Sequence, residues 1–249
     1  MKKLHGRIAV VTGAASGIGR GIAVAFAREG ADILVADMVG ADDAAVVLAE
    51  IAEAGTRGVF VRTDVSDETS VREMARRALE EFGRVDILVN NAGIFTESLL
   101  EDISVEDWDR VVNTNLRGTF LCTRMLIGQM LERGDGRIIN VASQLGQIGG
   151  IAVPHYVASK AGIIGLTKAL AREVAGRGVL VNAIAPGPIE TPLLDRETEE
   201  WRSTKLAELP IKRFGRVDEV TPTAVLLASA DGSYYVGQTL GPNGGDVML

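Results

Sequence analysis

Short runs rich in β-branched residues recur along this chain at 8–12, 32–36, 59–62, 87–90, 137–142 and 180–185, and longer amphipathic stretches separate them. That alternation is the pattern of consecutive βαβ units and predicts a parallel sheet. The runs Ile8-Ala9-Val10-Val11 and Ile33-Leu34-Val35-Ala36 are apolar at every position, as expected where helices cover both faces of a sheet. The chain therefore reads as α/β, with a doubly wound parallel sheet flanked by helices on both faces. Its 249 residues would also suffice for two small domains, but no linker, repeat or low-complexity tract divides them. One domain over 1–249 is expected.

Helix punctuation agrees. Ser66 is placed to cap a helix that stays periodic through Val71, Met74, Ala75, Ala78, Leu79 and Phe82 and stops at Gly83, and Ser104 is placed to begin another long one. The segment 186–215 differs, because Pro186, Pro188, Pro192 and Pro210 bracket a charged stretch at 195–200. It follows the sixth strand, at the edge where ligands bind in open α/β sheets. Residues 188–213 are expected to form a substrate lid or, equally, an ordinary solvated surface helix.

Composition narrows the classes. With 47% hydrophobic and 24% charged residues the chain is globular, and no run approaches the roughly 20 apolar residues that would cross a bilayer. A net charge of −7 argues against a general nucleic-acid surface. Cys122 is the single cysteine and lies in an apolar setting, which fits a buried inert thiol and a reducing, cytoplasmic location. His5 and His155 are the only histidines, so no metal cluster built on His or Cys is expected.

The turn Thr12-Gly13-Ala14-Ala15-Ser16-Gly17-Ile18-Gly19 leaves the first strand and enters a helix continuing through Ile22, Ala25 and Phe26. Glycines permit a tight turn and close approach of backbone to a pyrophosphate, and the helix N-terminus offers free N–H donors. In this context the turn predicts a Rossmann-type dinucleotide site. Asp37 closes the second strand 18 residues after Gly19, near the spacing at which a carboxylate receives the adenosine ribose hydroxyls and repels a 2′-phosphate. No basic clamp is present, so NAD is expected over NADP. Asp37 could alternatively be a turn or cap residue.

Tyr156 and Lys160 stand four apart in a helical stretch, hence on one face with about 6 Å of axial rise between them. A phenol with its usual pKa near 10 is a poor base at neutral pH, but an adjacent ammonium and the positive nicotinamide ring would favour phenolate. Ser143 ends the fifth strand at the edge of the nucleotide turn, where its hydroxyl could hold a substrate oxygen. Asn115 lies on the long preceding helix, where Asn is a poor helix former and invites an explanation. Each residue alone could be a satisfied polar group near a sheet edge.

Taken together, these residues resemble the short-chain dehydrogenase/reductase family over essentially the whole chain. The resemblance is carried by Thr12-Gly13-xxx-Gly17-x-Gly19, Asp64-Val65, Asn90-Asn91-Ala92-Gly93, Asn115, Ser143, Tyr156-xxx-Lys160 and Pro186-Gly187, all in the family's order. It implies a tetrad in which Tyr156 exchanges the proton, Ser143 orients the substrate oxygen, Lys160 holds the nicotinamide ribose and depresses the Tyr pKa, and Asn115 anchors a relay water. It further implies cofactor contacts from Gly13, Ser16, Gly17, Ile18 and Gly19, from Asp64 and Val65 at the adenine, from Asn91, Ala92 and Gly93, and from Pro186, Gly187, Ile189 and Thr191 toward the carboxamide. A homotetramer is implied as well, with the helices around 116–131 and 156–170 at its larger interface.

Within that family the chain is most similar to 3-oxoacyl-carrier-protein reductases, through 169–175 and the ending Asn243-Gly244-Gly245. Two departures stand against a simple transfer: Ser16 and Asp37 replace the basic pattern of an NADP site, and of two arginines expected to dock a carrier protein Arg172 is present while the other position is Gly128. Gln144, Gln147, His155, Pro188 and the segment after Thr191 are expected to line the substrate space. Gln144 and His155 favour a small polar alcohol such as a polyol, sugar or hydroxy acid, with the 3-oxoacyl thioester as the alternative. A non-catalytic NAD-binding protein is the remaining reading, disfavoured because such a protein has no need of both Tyr156 and Lys160.

Overall fold

The computed structural model describes residues 2–248. Seven parallel strands form one sheet in the order β3-β2-β1-β4-β5-β6-β7: β1 (Ile8–Thr12), β2 (Asp32–Asp37), β3 (Gly58–Arg62), β4 (Ile87–Asn90), β5 (Gly136–Val141), β6 (Val179–Ile184) and β7 (Thr239–Leu240). The principal helices are α1 (Gly17–Arg28), α2 (Ala41–Glu53), α3 (Glu68–Phe82), α4 (Val105–Val112), α5 (Gly118–Arg133), α6 (Leu145–Ile148), α7 (Pro154–Val174), α8 (Glu199–Glu208) and α9 (Val217–Ala228). The six sequence-predicted strands are present. β7 was not anticipated, because two residues beside β6 carry no periodicity of their own.

The alternation of side chains divides each central strand between two cores. Ala9, Val11, Ile33, Val35, Ile87, Val89, Ile139 and Val141 pack with α1 and α9 residues such as Ile22, Phe26 and Val220. Their neighbours Val10, Leu34, Leu88 and Ile138 pack on the other face with Met74, Leu121 and Leu126 from α3 and α5. Hence the strands show no polar face.

One helix start differs from expectation. α3 is capped by Asp67, which accepts from the backbone N–H groups of Thr69 and Ser70, whereas Ser66 donates its hydroxyl to Asp64 at 2.7 Å. The anionic oxygen is the stronger acceptor for exposed N–H groups at a positive helix end. Ser104 does cap α4, accepting from the Asp107 N–H at 3.0 Å. That helix joins α5 through a π-helical turn, Asn113–Arg117, and Asn115 lies in this turn rather than in regular helix.

At the amino edge of the sheet, buried Asp86 accepts the Ile8 N–H at 2.9 Å and pairs with Arg84 at 3.1 Å and Arg133 at 3.3 Å. One carboxylate thereby ties β1 and β4 to the end of α5. Beyond the opposite edge, α8 stands on a small separate core of Leu194, Leu209 and Phe214, against which Trp201 and Leu206 pack.

Candidate active site

The strand order reverses between β1 and β4, and the loops that leave these strands at their carboxyl ends open a crevice there. Gly13 (φ 63°) and Gly17 (φ 53°) adopt left-handed backbone. A Cβ on Gly13 would lie 2.9 Å from Ala92 Cα, and one on Gly19 only 2.1 Å from the Gly13 carbonyl oxygen. The turn therefore lies flat on the loop after β4. Asn91 fastens it there, donating through Nδ2 to the Thr12 and Gly13 carbonyls at 2.9 and 3.1 Å, while Thr12 Oγ1 accepts from Asn91 N and Ala92 N at 3.0 Å.

Ser16 begins α1 with no side-chain cap bond, so the first N–H groups of the helix, among them those of Gly17, Ile18 and Gly19, remain available to an anion. Thr191 lies over this turn, its Cγ2 3.6 Å from where a Cβ on Gly17 would stand. A pyrophosphate fits this cradle. Asp37 Oδ2 accepts the Ala15 N–H at 2.9 Å and Oδ1 the Met38 and Val39 N–H groups at 2.7 and 3.4 Å, so it serves the turn as well, and Oδ2 retains lone-pair capacity for a ribose hydroxyl.

The remaining predicted cofactor residues lie on the segments that follow β3, β4 and β6 at the same sheet edge. Asp64 Oδ1 receives the Ser66 N–H at 2.9 Å, and buried Val65 packs on Gly118, where a Cβ would come within 2.8 Å of Val65 Cγ2. A Cβ on Gly93 would stand 3.1 Å from Asn115 Oδ1 and 3.6 Å from Lys160 Nζ. After β6, the Pro186 carbonyl accepts the Gln144 N–H at 3.1 Å and Gly187 N donates to Pro242 at 3.2 Å. Ile189 forms a parallel bridge with Gly215.

Tyr156 and Lys160 sit in the first two turns of α7, which begins at Pro154, where the missing N–H costs nothing. Lys160 Nζ donates to the Val141 carbonyl at 2.8 Å and lies 5.6 Å from the Tyr156 ring centroid, and the Phe95 ring meets that ring edge-on at 4.9 Å. Burial pushes the Lys160 ammonium down to about 8. Burial likewise raises the Tyr156 phenol above its usual 10, partly offset by the Ser143 hydroxyl beside it. Ser143 lies two residues beyond β5, its Oγ accepting the Leu145 N–H at 3.2 Å.

Asn115 is fully buried and reaches the crevice wall through both ends of its amide. Oδ1 accepts the Ile94 N–H at 2.8 Å, and Nδ2 donates to the Ile94 carbonyl at 3.0 Å and to Ser159 Oγ at 3.1 Å. The π-helical turn breaks the regular ladder at this position, a feature that recurs at functional sites.

Of the expected substrate residues, Gln144 and His155 are buried, not turned to solvent. His155 Nε2 shares a hydrogen bond with Thr96 Oγ1 at 2.8 Å, and burial lowers its pKa, so the ring is neutral at pH 7 and unsuited to carry a charge there. Gln144 Nε2 donates to Asp246, which Lys205 meets at 2.7 Å. Pro188 shares a cavity of about 120 Å³ with Ile189, Leu209 and Pro242. Lys205 and Asp246 were missed from sequence, because nothing local relates them to residue 144.

A parallel sheet carrying an anion cradle at its switch point, with a half-buried tyrosine over a buried lysine at the same edge, defines a nucleotide-dependent oxidoreductase. The profile of short chain dehydrogenases matches residues 7–202. The 3-oxoacyl-[acyl-carrier-protein] reductase of Thermotoga maritima is 41% identical over 246 residues, covering 99% of this chain and 100% of that protein. Among solved structures, a short-chain type dehydrogenase/reductase from Mycobacterium marinum superposes with a TM-score of 0.95 at 36% identity, over 99% of this chain and 98% of that one. A protein assigned as a gluconate dehydrogenase of Agrobacterium tumefaciens gives 0.94 at 35%, over 99% and 98%.

This chain belongs to the short-chain dehydrogenase/reductase family and is an oxidoreductase acting on CH–OH groups. Its likeness to 3-oxoacyl-carrier-protein reductases is as the sequence suggested. On substrate, the curated relatives favour the thioester alternative over the small polar alcohol expected from the cleft residues. Among the described residues no helix is long and apolar enough to cross a membrane. Burial holds the Cys122 thiol up at about 12, as befits an unreactive core residue.

Proposed function

We propose that this chain is an NAD(H)-dependent enzyme interconverting a secondary alcohol and a ketone, with Asn115, Ser143, Tyr156 and Lys160 as its working residues. The observation that carries the proposal is half-buried Tyr156 over buried Lys160 and beside buried Ser143, at the same sheet edge as the glycine turn. Bound nicotinamide supplies or accepts the hydride. Ser143 orients the reacting oxygen and Tyr156 Oη moves its proton. Lys160 Nζ, held 2.8 Å from the Val141 carbonyl, faces the ribose position and favours phenolate by its charge. Asn115 holds the loop at Ile94 through both amide atoms.

Preference for NAD is supported by the Asp37 carboxylate at the end of β2, which would meet a 2′-phosphate with like charge. Residues 188–213 are proposed as the lid. A homotetramer is proposed through α5 and α7, where Phe120 is 45% exposed.

Two substrate readings stand. A small polar alcohol is favoured by Gln144, and Gly128 stands where a carrier-docking arginine is expected. Reduction of a 3-oxoacyl thioester is favoured by the 41%-identical relative. The deciding experiment follows NADH absorbance with polyols, hydroxy acids, the corresponding ketones and acetoacetyl thioesters. Tyr156→Phe should abolish turnover while NAD affinity stays within a few-fold; near-normal turnover would refute the Tyr156 role. Faster reaction with NADP would refute the Asp37 reading.

A further inference from the structure

A series of contacts joins the loop that leaves β4 to the chain that enters α7. The Phe95 ring meets the Tyr156 ring edge-on, with centroids 4.9 Å apart and planes at 83°. Thr96 Oγ1 shares a hydrogen bond with His155 Nε2 at 2.8 Å, and the Ser98 N–H donates to the Ala152 carbonyl at 2.7 Å. Residue numbers rise along the loop as they fall along its partner, so the two segments run antiparallel and close outward from Tyr156. The Asn115 amide holds the inner end through both backbone groups of Ile94, at 2.8 and 3.0 Å.

Two details show that this closure is built in. Ala152 takes left-handed backbone (φ 60°), a conformation that side chains rarely adopt, and presents its carbonyl to Ser98 from it. His155 is 1% exposed and its Nδ1 has no partner among the described residues. A buried lone pair is tolerated better than a buried unpaired N–H, so the proton sits on Nε2 and Thr96 Oγ1 accepts it. That bond sets the loop residue next to Phe95 against the helix residue next to Tyr156. Phe95 and Tyr156 are themselves half-buried and stand outside the hydrophobic cores of the sheet. The Tyr156 ring is therefore steadied by its neighbours, Phe95 and the Lys160 ammonium 5.6 Å from its centroid.

We propose that Phe95 is a positioning residue for Tyr156, holding the phenol in the orientation that carries Oη to the reacting oxygen, and that the Thr96–His155 bond holds Phe95 in turn. Rotation about the Cα–Cβ bond of a tyrosine sweeps its hydroxyl through several ångström, whereas proton transfer needs hydrogen-bond reach. An edge-on aromatic neighbour restricts that rotation without touching substrate or nicotinamide. The proposal rests on the reading of Tyr156 as the residue that moves the proton.

The test uses the full-length protein and two readouts. In protein carrying 3-fluorotyrosine, the signals of Tyr156 and of Tyr234, which is 98% exposed, are assigned by their loss in Tyr156→Phe and Tyr234→Phe. Phe95→Leu should move the Tyr156 fluorine signal toward that of Tyr234. Thr96→Val should move it the same way, and Thr96→Ser should leave it near the wild-type position. Phe95 lies outside the cores, so its variants should keep the wild-type far-UV spectrum. In turnover, measured with NADH and acetoacetyl-CoA or with NAD⁺ and butane-2,3-diol, Phe95→Leu should lower kcat by about fivefold, the equivalent of about 1 kcal/mol. KM should stay within about twofold, and Phe95→Tyr, which keeps the ring, should keep kcat. Thr96→Val added to Phe95→Leu should cost nothing more, because the bond acts through the ring. An unmoved Tyr156 signal or an unchanged kcat in Phe95→Leu, a loss carried by KM, or losses that multiply in the double variant overturn the proposal and leave the Tyr156 reading intact. No turnover of either substrate by the wild type overturns both.

Discussion

Replacing Lys160 by Met separates what this lysine does for chemistry from what it costs the fold. Burial brings its pKa from the ordinary 10.5 to about 8. At about 1.4 kcal/mol for each tenfold change in proton affinity, keeping the buried ammonium charged at neutral pH costs the native state about 3 kcal/mol. Methionine removes that cost but also the hydrogen bond to the Val141 carbonyl, about 1 kcal/mol. The variant should therefore be more stable by about 2 kcal/mol at pH 6.5, or about 4–8 °C in Tm for a chain of this size. Between pH 8 and 10.5 the unfolded chain holds the Lys160 proton and the folded chain has released it. The wild type consequently gains stability as pH rises through that window, and the advantage of the variant shrinks. Thermal unfolding of both proteins at pH 6.5 and pH 10, at one protomer concentration, measures this directly. A variant no more stable than the wild type at pH 6.5, or an equal gap at both pH values, refutes the reasoning. Turnover should be lost in the variant under all conditions.

Three further outcomes follow from the geometry. Asp37→Ala should narrow the preference for NAD⁺ over NADP⁺ in kcat/KM, since it removes the like charge near the 2′ position while also freeing the Ala15 N–H. Gly19→Ala should cost about 1–3 kcal/mol in urea unfolding and weaken NAD binding in calorimetry, because its Cβ meets the Gly13 carbonyl at 2.1 Å. Phe120→Glu places a charge on the exposed face of α5 and, on the proposed tetramer, should yield smaller species than the wild type in sedimentation, with little change in helix content.

How much of this was legible in the sequence depends on whether the cause was local. β1, β2, β4 and β6 were readable because a strand buried on both faces is apolar over most of its length. The glycine turn was readable because its backbone demands are met residue by residue. β7 was not, since two residues acquire strand geometry only by pairing with Ala183 and Ile184. The exchange of Ser66 for Asp67 at the start of α3 turned on a competition between adjacent side chains that a cap pattern does not rank. The surroundings of Asn115 and the Gln144–Asp246–Lys205 chain are tertiary facts: residues 144 and 246 are 102 positions apart, and no periodicity joins them.

The Asp86 junction and the glycine crevice occupy opposite ends of the same strands. Asp86, Arg84 and Arg133 bind β1, β4 and α5 together at the amino edge, whereas Ser143, Gln144 and the segment after β6 project from the carboxyl edge. Inheritance can therefore act on the two ends separately. Loops at one end can be exchanged, lengthened or recharged to suit a new alcohol while the other end preserves the scaffold. A designer who wishes to redirect this enzyme should confine library positions to the loops after β4, β5 and β6 and leave the arginine-laced base untouched.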